Sequence, residues 1–174
     1  SVVFDTSFIF SNNGMADYTM SSIEKLVAMA SAGMIDIVVA DTAAFEKLAR
    51  SEFYLNLEEA LPQETLEKFR DYLYYTDAAA FDDGYDDAFQ TLEEIQNPDE
   101  YIIDHHDPSA MEKPVLVGIS LPADSKIMEA GCYNYLAANG TTYQGYPSEA
   151  VFGIPATTEH LDTIVQFLDF IMEK

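Results

Sequence analysis

The sequence predicts an α/β domain with a mostly parallel sheet flanked by helices, and three observations lead there. Residues 35–40, Ile-Asp-Ile-Val-Val-Ala, are almost continuously apolar, as a strand covered on both faces is. Between this run and an earlier apolar stretch at 4–10, side chains recur at helical spacing, which makes a right-handed βαβ unit. Two more apolar runs return late, at 114–119 and 150–154, and the second leads into an amphipathic terminal helix.

Taken in order, Val2-Val3-Phe4 and Phe8-Ile9-Phe10 read as a buried strand, and Ser11-Asn12-Asn13-Gly14 as a turn. Ser21 and Glu24 have the spacing of a capping box; Met20, Ile23, Leu26, Val27 and Ala30 form an apolar stripe, and Gly33 stops the helix. After strand 35–40, Asp41 is placed to cap a short helix over 42–50 with Phe45, Leu48 and Ala49 inward. An acidic, mostly helical insertion is expected at about 58–112, with helices at 62–72 (Leu66 and Phe69 inward) and 86–95 (Phe89 and Leu92 inward). Strands 114–119 and 150–154 follow, separated by an irregular segment containing Asn139-Gly140 and Gln144-Gly145. Leu161, Ile164, Val165, Leu168 and Ile171 then recur at steps of three and four, so the last helix should lie on the sheet beside Val151 and Ile154. The whole of 1–174 reads as one domain, since 174 residues suffice for a single core.

Composition narrows the function. Thirty-one acidic residues against eight basic ones give a net charge of −23, a sign that repels phosphate backbones, so nucleic acid is not an expected partner. No Lys or Arg occurs between Arg70 and Lys113, a self-repelling acidic run. A single cysteine, Cys132, excludes an internal disulfide and a thiolate zinc site. No apolar run is long enough to span a bilayer. The chain opens without an initiator Met or a polar lead-in, so any export signal or membrane anchor is expected to lie upstream of these residues.

The succession Ile35-Asp36-Ile37-Val38-Val39-Ala40-Asp41, a short helix with Leu48-Ala49, and then Leu55-Asn56-Leu57-Glu58-Glu59-Ala60-Leu61-Pro62 resembles the extracellular solute-binding proteins of bacterial ABC importers. The segment from Phe152-Gly153-Ile154-Pro155-Ala156 into Val165-Gln166-Phe167-Leu168-Asp169-Phe170 is similar to that family's late strand and final helix. The resemblance implies a periplasmic-binding-protein-like lobe of type II with a reduced helical insertion. It also implies non-catalytic binding of a small-molecule solute, an extracellular location, an ABC permease as partner and no cofactor.

In an open parallel sheet, ligands bind outside the carboxyl ends of the strands. Asn13, Asp41, Thr42, Ser120 and Thr157 stand at those exits and are the expected ligand-binding residues. A rival lies in Tyr101-Ile102-Ile103-Asp104-His105-His106-Asp107, which resembles the metal-dependent DHH phosphoesterases; Asp104, His105 and His106 would then hold divalent ions that activate water. No histidine precedes Asp104, so the further ligands of a two-metal centre are missing upstream. A protein-interaction module derived from a binding-protein lobe is the other alternative. Phosphate-binding glycine loops and a Gly-x-Ser-x-Gly elbow are absent.

Overall fold

In the computed structural model, which describes residues 3, 5, 16–81, 103–130, 142–143, 146–147 and 149–173, the first helix is α1 (Ala16–Ser31). It begins five residues ahead of Ser21, so the expected capping box lies inside it. Its end is as expected: Gly33 takes a φ of +68°, and Met34 N–H donates to the Met29 carbonyl across the left-handed turn. Leu26 and Ala30 are buried, whereas Val27 is turned outward.

Strand β1 (Val38–Asp41) runs directly into α2 (Thr42–Ala49), where Asp41 ends the strand and caps the helix, its carboxylate accepting from Ala44 N–H at 2.8 Å. Short helices α3 (Leu57–Ala60) and α4 (Gln63–Lys68) follow, the first capped by Asn56. The helix expected over 62–72 gives way at its end to a single 3₁₀ turn, Arg70–Tyr72, which delivers the chain into β2 (Leu73–Asp77). After β3 (Pro114–Ser120) come α5 (Lys126–Glu129), a two-stranded ladder of β4 (Thr142–Tyr143) and β5 (Tyr146–Pro147), β6 (Ala150–Gly153) and α6 (Leu161–Met172). The strand expected at 4–10, apart from Asp5, and the helix expected at 86–95 lie outside the described residues.

The main sheet has the order β1-β6-β3-β2, and all three neighbouring pairs are antiparallel. This overturns the mostly parallel sheet and the periplasmic-binding-protein-like lobe that the resemblance implied. The reason is physical: an unbroken apolar run reports that both faces of a strand are covered, not which way its neighbours run. Here one face carries Leu116, Ile119, Phe152 and Ile154 against α3, α4, α5 and α6. The opposite face carries Val38, Ala40, Tyr74 and Val151 against α1 and α2. An antiparallel sheet buried on both sides therefore has the continuous β6 that a parallel one would have. Val151 consequently faces α2, and α6 packs on Phe152 and Ile154.

Phe45 of α2 is fully buried, stacked on Tyr54 at 4.1 Å and edge-on to Tyr74 at 5.3 Å. Two glycines make room for it. A Cβ at Gly153 would stand 2.6 Å from the Tyr54 ring and 2.7 Å from that of Phe45, and one at Gly118 would stand 2.8 Å from Phe45 and 2.6 Å from Val151. Gly153→Ala is therefore expected to cost about 1–3 kcal/mol, the range for overpacking a filled core. An unchanged urea midpoint would show that the stack shifts aside freely.

The antiparallel order also decides which strand ends meet. At one end of the sheet lie Asp41, Ser120, Ala150 and Leu73; at the other lie Val38, Pro114, Gly153 and Asp77.

Candidate functional site

Two polar constellations sit against β2, one buried and one at the rim of the sheet. The buried one follows from strand periodicity: Tyr74 and Thr76, two residues apart, point to the face covered by α2. Glu46 lies one helical turn beyond Thr42 on the buried side of α2 and meets them. Its Oε1 accepts from Tyr74 Oη at 2.9 Å and its Oε2 from Thr76 Oγ1 at 3.0 Å. His105 lies 4.5 Å from the Tyr74 ring in a stacked arrangement, with Nδ1 2.7 Å from the Tyr75 carbonyl and 3.7 Å from Glu46 Oε1. A carbonyl only accepts, so His105 carries its proton on Nδ1. Tyr54 Oη lies buried in the same layer with no hydrogen-bond partner among the described residues. Burial, reinforced by the Glu46 charge, raises its phenol well above the ordinary value.

The rim constellation is built from four strand ends. His106, next along the 104–107 turn, directs Nδ1 to the Leu73 carbonyl at 2.7 Å. Its Nε2 lies 2.8 and 2.9 Å from the two carboxylate oxygens of Glu149. Ser120 Oγ stands 3.4 Å from the same Nε2, and Thr42 Oγ1 accepts the Glu149 N–H at 2.9 Å. Asp104 secures the turn by accepting from His106 N–H. Ser120 and Thr42 are buried, while the His106 and Glu149 side chains keep about a third of their surface in water, 33% and 34%. The hydroxyls thus form a floor beneath an exposed imidazole–carboxylate pair.

The chemistry of this pair is set by its acceptors. Both the Leu73 carbonyl and the Glu149 carboxylate only accept, so the geometry calls for a ring with both nitrogens protonated. The Glu149 hydrogen bond above all, with the Glu149 and Asp104 charges and the Leu73 carbonyl, raises the His106 pKa from its ordinary 6.5 against the opposing cost of partial burial. A group raised in the folded state contributes stability that is complete below the unfolded value of about 6.5 and is lost as pH rises through the folded value. Thermal stability should therefore fall as pH passes upward through that window, and Glu149→Gln should flatten the fall. His160, hydrogen-bonded to Asp36, is raised in the same direction, so Asp36→Asn measures its separate share. A pH profile identical in the wild type and Glu149→Gln would show that the pair contributes nothing.

Of the expected ligand residues, Asp41, Thr42 and Ser120 meet at this end of the sheet. Thr157 does not: it lies beyond β6 at the far end, where its hydroxyl donates to the Ala30 carbonyl. Carboxyl ends converge only when strands are parallel, and β6 runs opposite to β1 and β3. Asp41 is engaged as the α2 cap, and Asn13 lies outside the described residues. Asp104, His105 and His106 do not form one centre. His105 turns into the core and His106 to the rim, and among the described residues no group of three or more His, Cys, Asp or Glu side chains is arranged to hold a metal ion. Glu46 and Glu149 escaped the sequence reading. A carboxylate on the apolar face of α2 was the available signal for the first; nothing local marks the second.

Comparison with protein-family models, with curated proteins and with solved structures gives no match. No helix among the described residues is long and apolar enough to cross a membrane.

Proposed function

We propose that this chain is a non-catalytic solute-binding domain, with its recognition surface at the rim formed by His106 and Glu149 over Ser120 and Thr42. The observation that carries this reading is the sharing of His106 Nε2 between a carboxylate at 2.8 Å and a hydroxyl at 3.4 Å. A ring that acts as general base toward Ser120 needs a lone pair on Nε2; with Nε2 donating to Glu149, Ser120 has a donor beside it and no base among the described residues. What remains is a small, partly exposed set of directional polar groups, which suits recognition. Placement outside the cytoplasm beside an ABC permease rests on the sequence resemblance alone.

A thermal-shift screen of sugars, polyols, amino acids, amines and guanidinium salts tests the proposal. A cognate solute at a hundred times its Kd stabilises the folded state by about 2.7 kcal/mol, and that gain should be lost in Ser120→Ala and Glu149→Gln. Metal-dependent hydrolysis of phosphate esters that disappears in His106→Gln would instead establish the phosphoesterase alternative. No stabilisation by any solute class would overturn the proposal.

A further inference from the structure

We infer that the turn at residues 104–107 is a seal on the outer edge of β2, and that β2, once uncovered, pairs with β2 of a second copy of this chain. The inference stands apart from solute binding at the rim.

Among the described residues, β2 ends the main sheet and has a strand, β3, on one side only. The backbone groups on its other side are those by which a sheet takes on a further strand. Two successive histidines occupy them. Tyr75 N–H donates to the His105 carbonyl at 2.8 Å, the Tyr75 carbonyl accepts from His105 Nδ1 at 2.7 Å, and the Leu73 carbonyl accepts from His106 Nδ1 at 2.7 Å. Imidazole N–H groups thus stand where the amides of a neighbouring strand would stand. A side chain satisfies a carbonyl as a strand does, but it presents no further edge of its own.

The chain that supplies the seal is itself closed to pairing. Every backbone N–H from His106 to Lys113 has a nearby acceptor. His106 donates to the Asp104 carboxylate and Asp107 to the Asp104 carbonyl. Ser109 donates to the Asp107 carboxylate, Ala110 and Met111 to the carbonyls of Asp107 and Pro108, and Glu112 and Lys113 to the Asp77 carboxylate. Pro108 has no N–H to offer. The seal is also anchored twice: the His105 ring stacks on Tyr74 in the core, and His106 is held at the rim by Glu149.

Without the turn, β2 is self-complementary. In an antiparallel pair about a two-fold axis at Tyr75, the two Tyr75 residues exchange N–H···O bonds and Leu73 of each copy faces Asp77 of the other. No like charges then stand directly opposite. The net charge of −23 opposes the approach of two copies, so the pairing should be strongest at high salt.

Sedimentation velocity and amide hydrogen exchange on the full chain test this. The wild type should sediment as a monomer at low and high salt, with Tyr75 N–H protected. His105→Ala/His106→Ala should form a dimer at high salt; its Tyr75 N–H should exchange about tenfold faster in the dilute monomer and regain protection in the dimer. Where that double variant does not fold, Asp104→Ala, which loosens the turn through the His106 N–H alone, should give the same two readings. A folded variant that stays monomeric at high salt, or a dimer in which Tyr75 N–H remains unprotected, would overturn the inference. So would a wild-type Tyr75 N–H that exchanges as fast as an exposed amide, for no seal would then exist.

Discussion

Glu46→Ala is expected to lower the stability of the fold by about 3–5 kcal/mol, because two buried hydroxyl donors lose their acceptor, at about 1–3 kcal/mol each, and a side-chain-sized space opens. The donors are Tyr74 Oη and Thr76 Oγ1, with exposures of 0% and 1% at their residues, so water does not readily replace the lost carboxylate. Glu46→Gln should cost less, since it keeps one carbonyl oxygen in place for one of the hydroxyls. The effect would also reach the rim. Glu46, Tyr74 and His105 hold the turn that positions His106, and Tyr75 N–H donates to the His105 carbonyl at 2.8 Å. Urea denaturation gives the number, and a loss below about 1 kcal/mol would mean that the network is not a major contributor to stability.

Leu168→Ala should cost about 2–5 kcal/mol, the range for emptying a packed apolar site that can only partly collapse. Leu168 is fully buried on α6, between Ile164 and Ile171 on the same stripe, against the layer that includes Phe152 and Ile154. Gln166→Ala, on the exposed side of the helix, should stay within about 0.5 kcal/mol and serves as the control. A denaturation midpoint that Leu168→Ala leaves in place would mean that α6 is detachable and would favour the interaction-module alternative.

These two cases show what the sequence could and could not convey. The stripe of α6, the Asp41 cap of α2 and the Gly33 stop are local signals, decided within a turn or two of chain, and all three stand in the fold. Strand direction is not local. The runs at 35–40, 114–119 and 150–154 carry burial on both faces, and that is compatible with either direction. The edge strand β2 was hidden because only Phe69 and a three-residue turn separate it from α4, with no Gly or Pro to mark the change, and its tyrosines suit a helix end as well as a strand. At the site, Thr42, Ser120 and His106 were legible as polar residues at element ends. Their grouping depended on the antiparallel register, which brought Glu149 to them and carried Thr157 away.

Protonation of the His106 ring separates a binding rim from a catalytic one, and the ¹H–¹⁵N titration of its imidazole measures it directly. The predicted result is a midpoint above 6.5 with both ring nitrogens protonated below it, and a return toward 6.5 with a single Nδ1–H tautomer in Glu149→Gln. A wild-type midpoint at or below 6.5, with Nε2 unprotonated at neutral pH and turned toward Ser120, would contradict the account, for it would place a general base beside a hydroxyl and make the rim a catalytic centre.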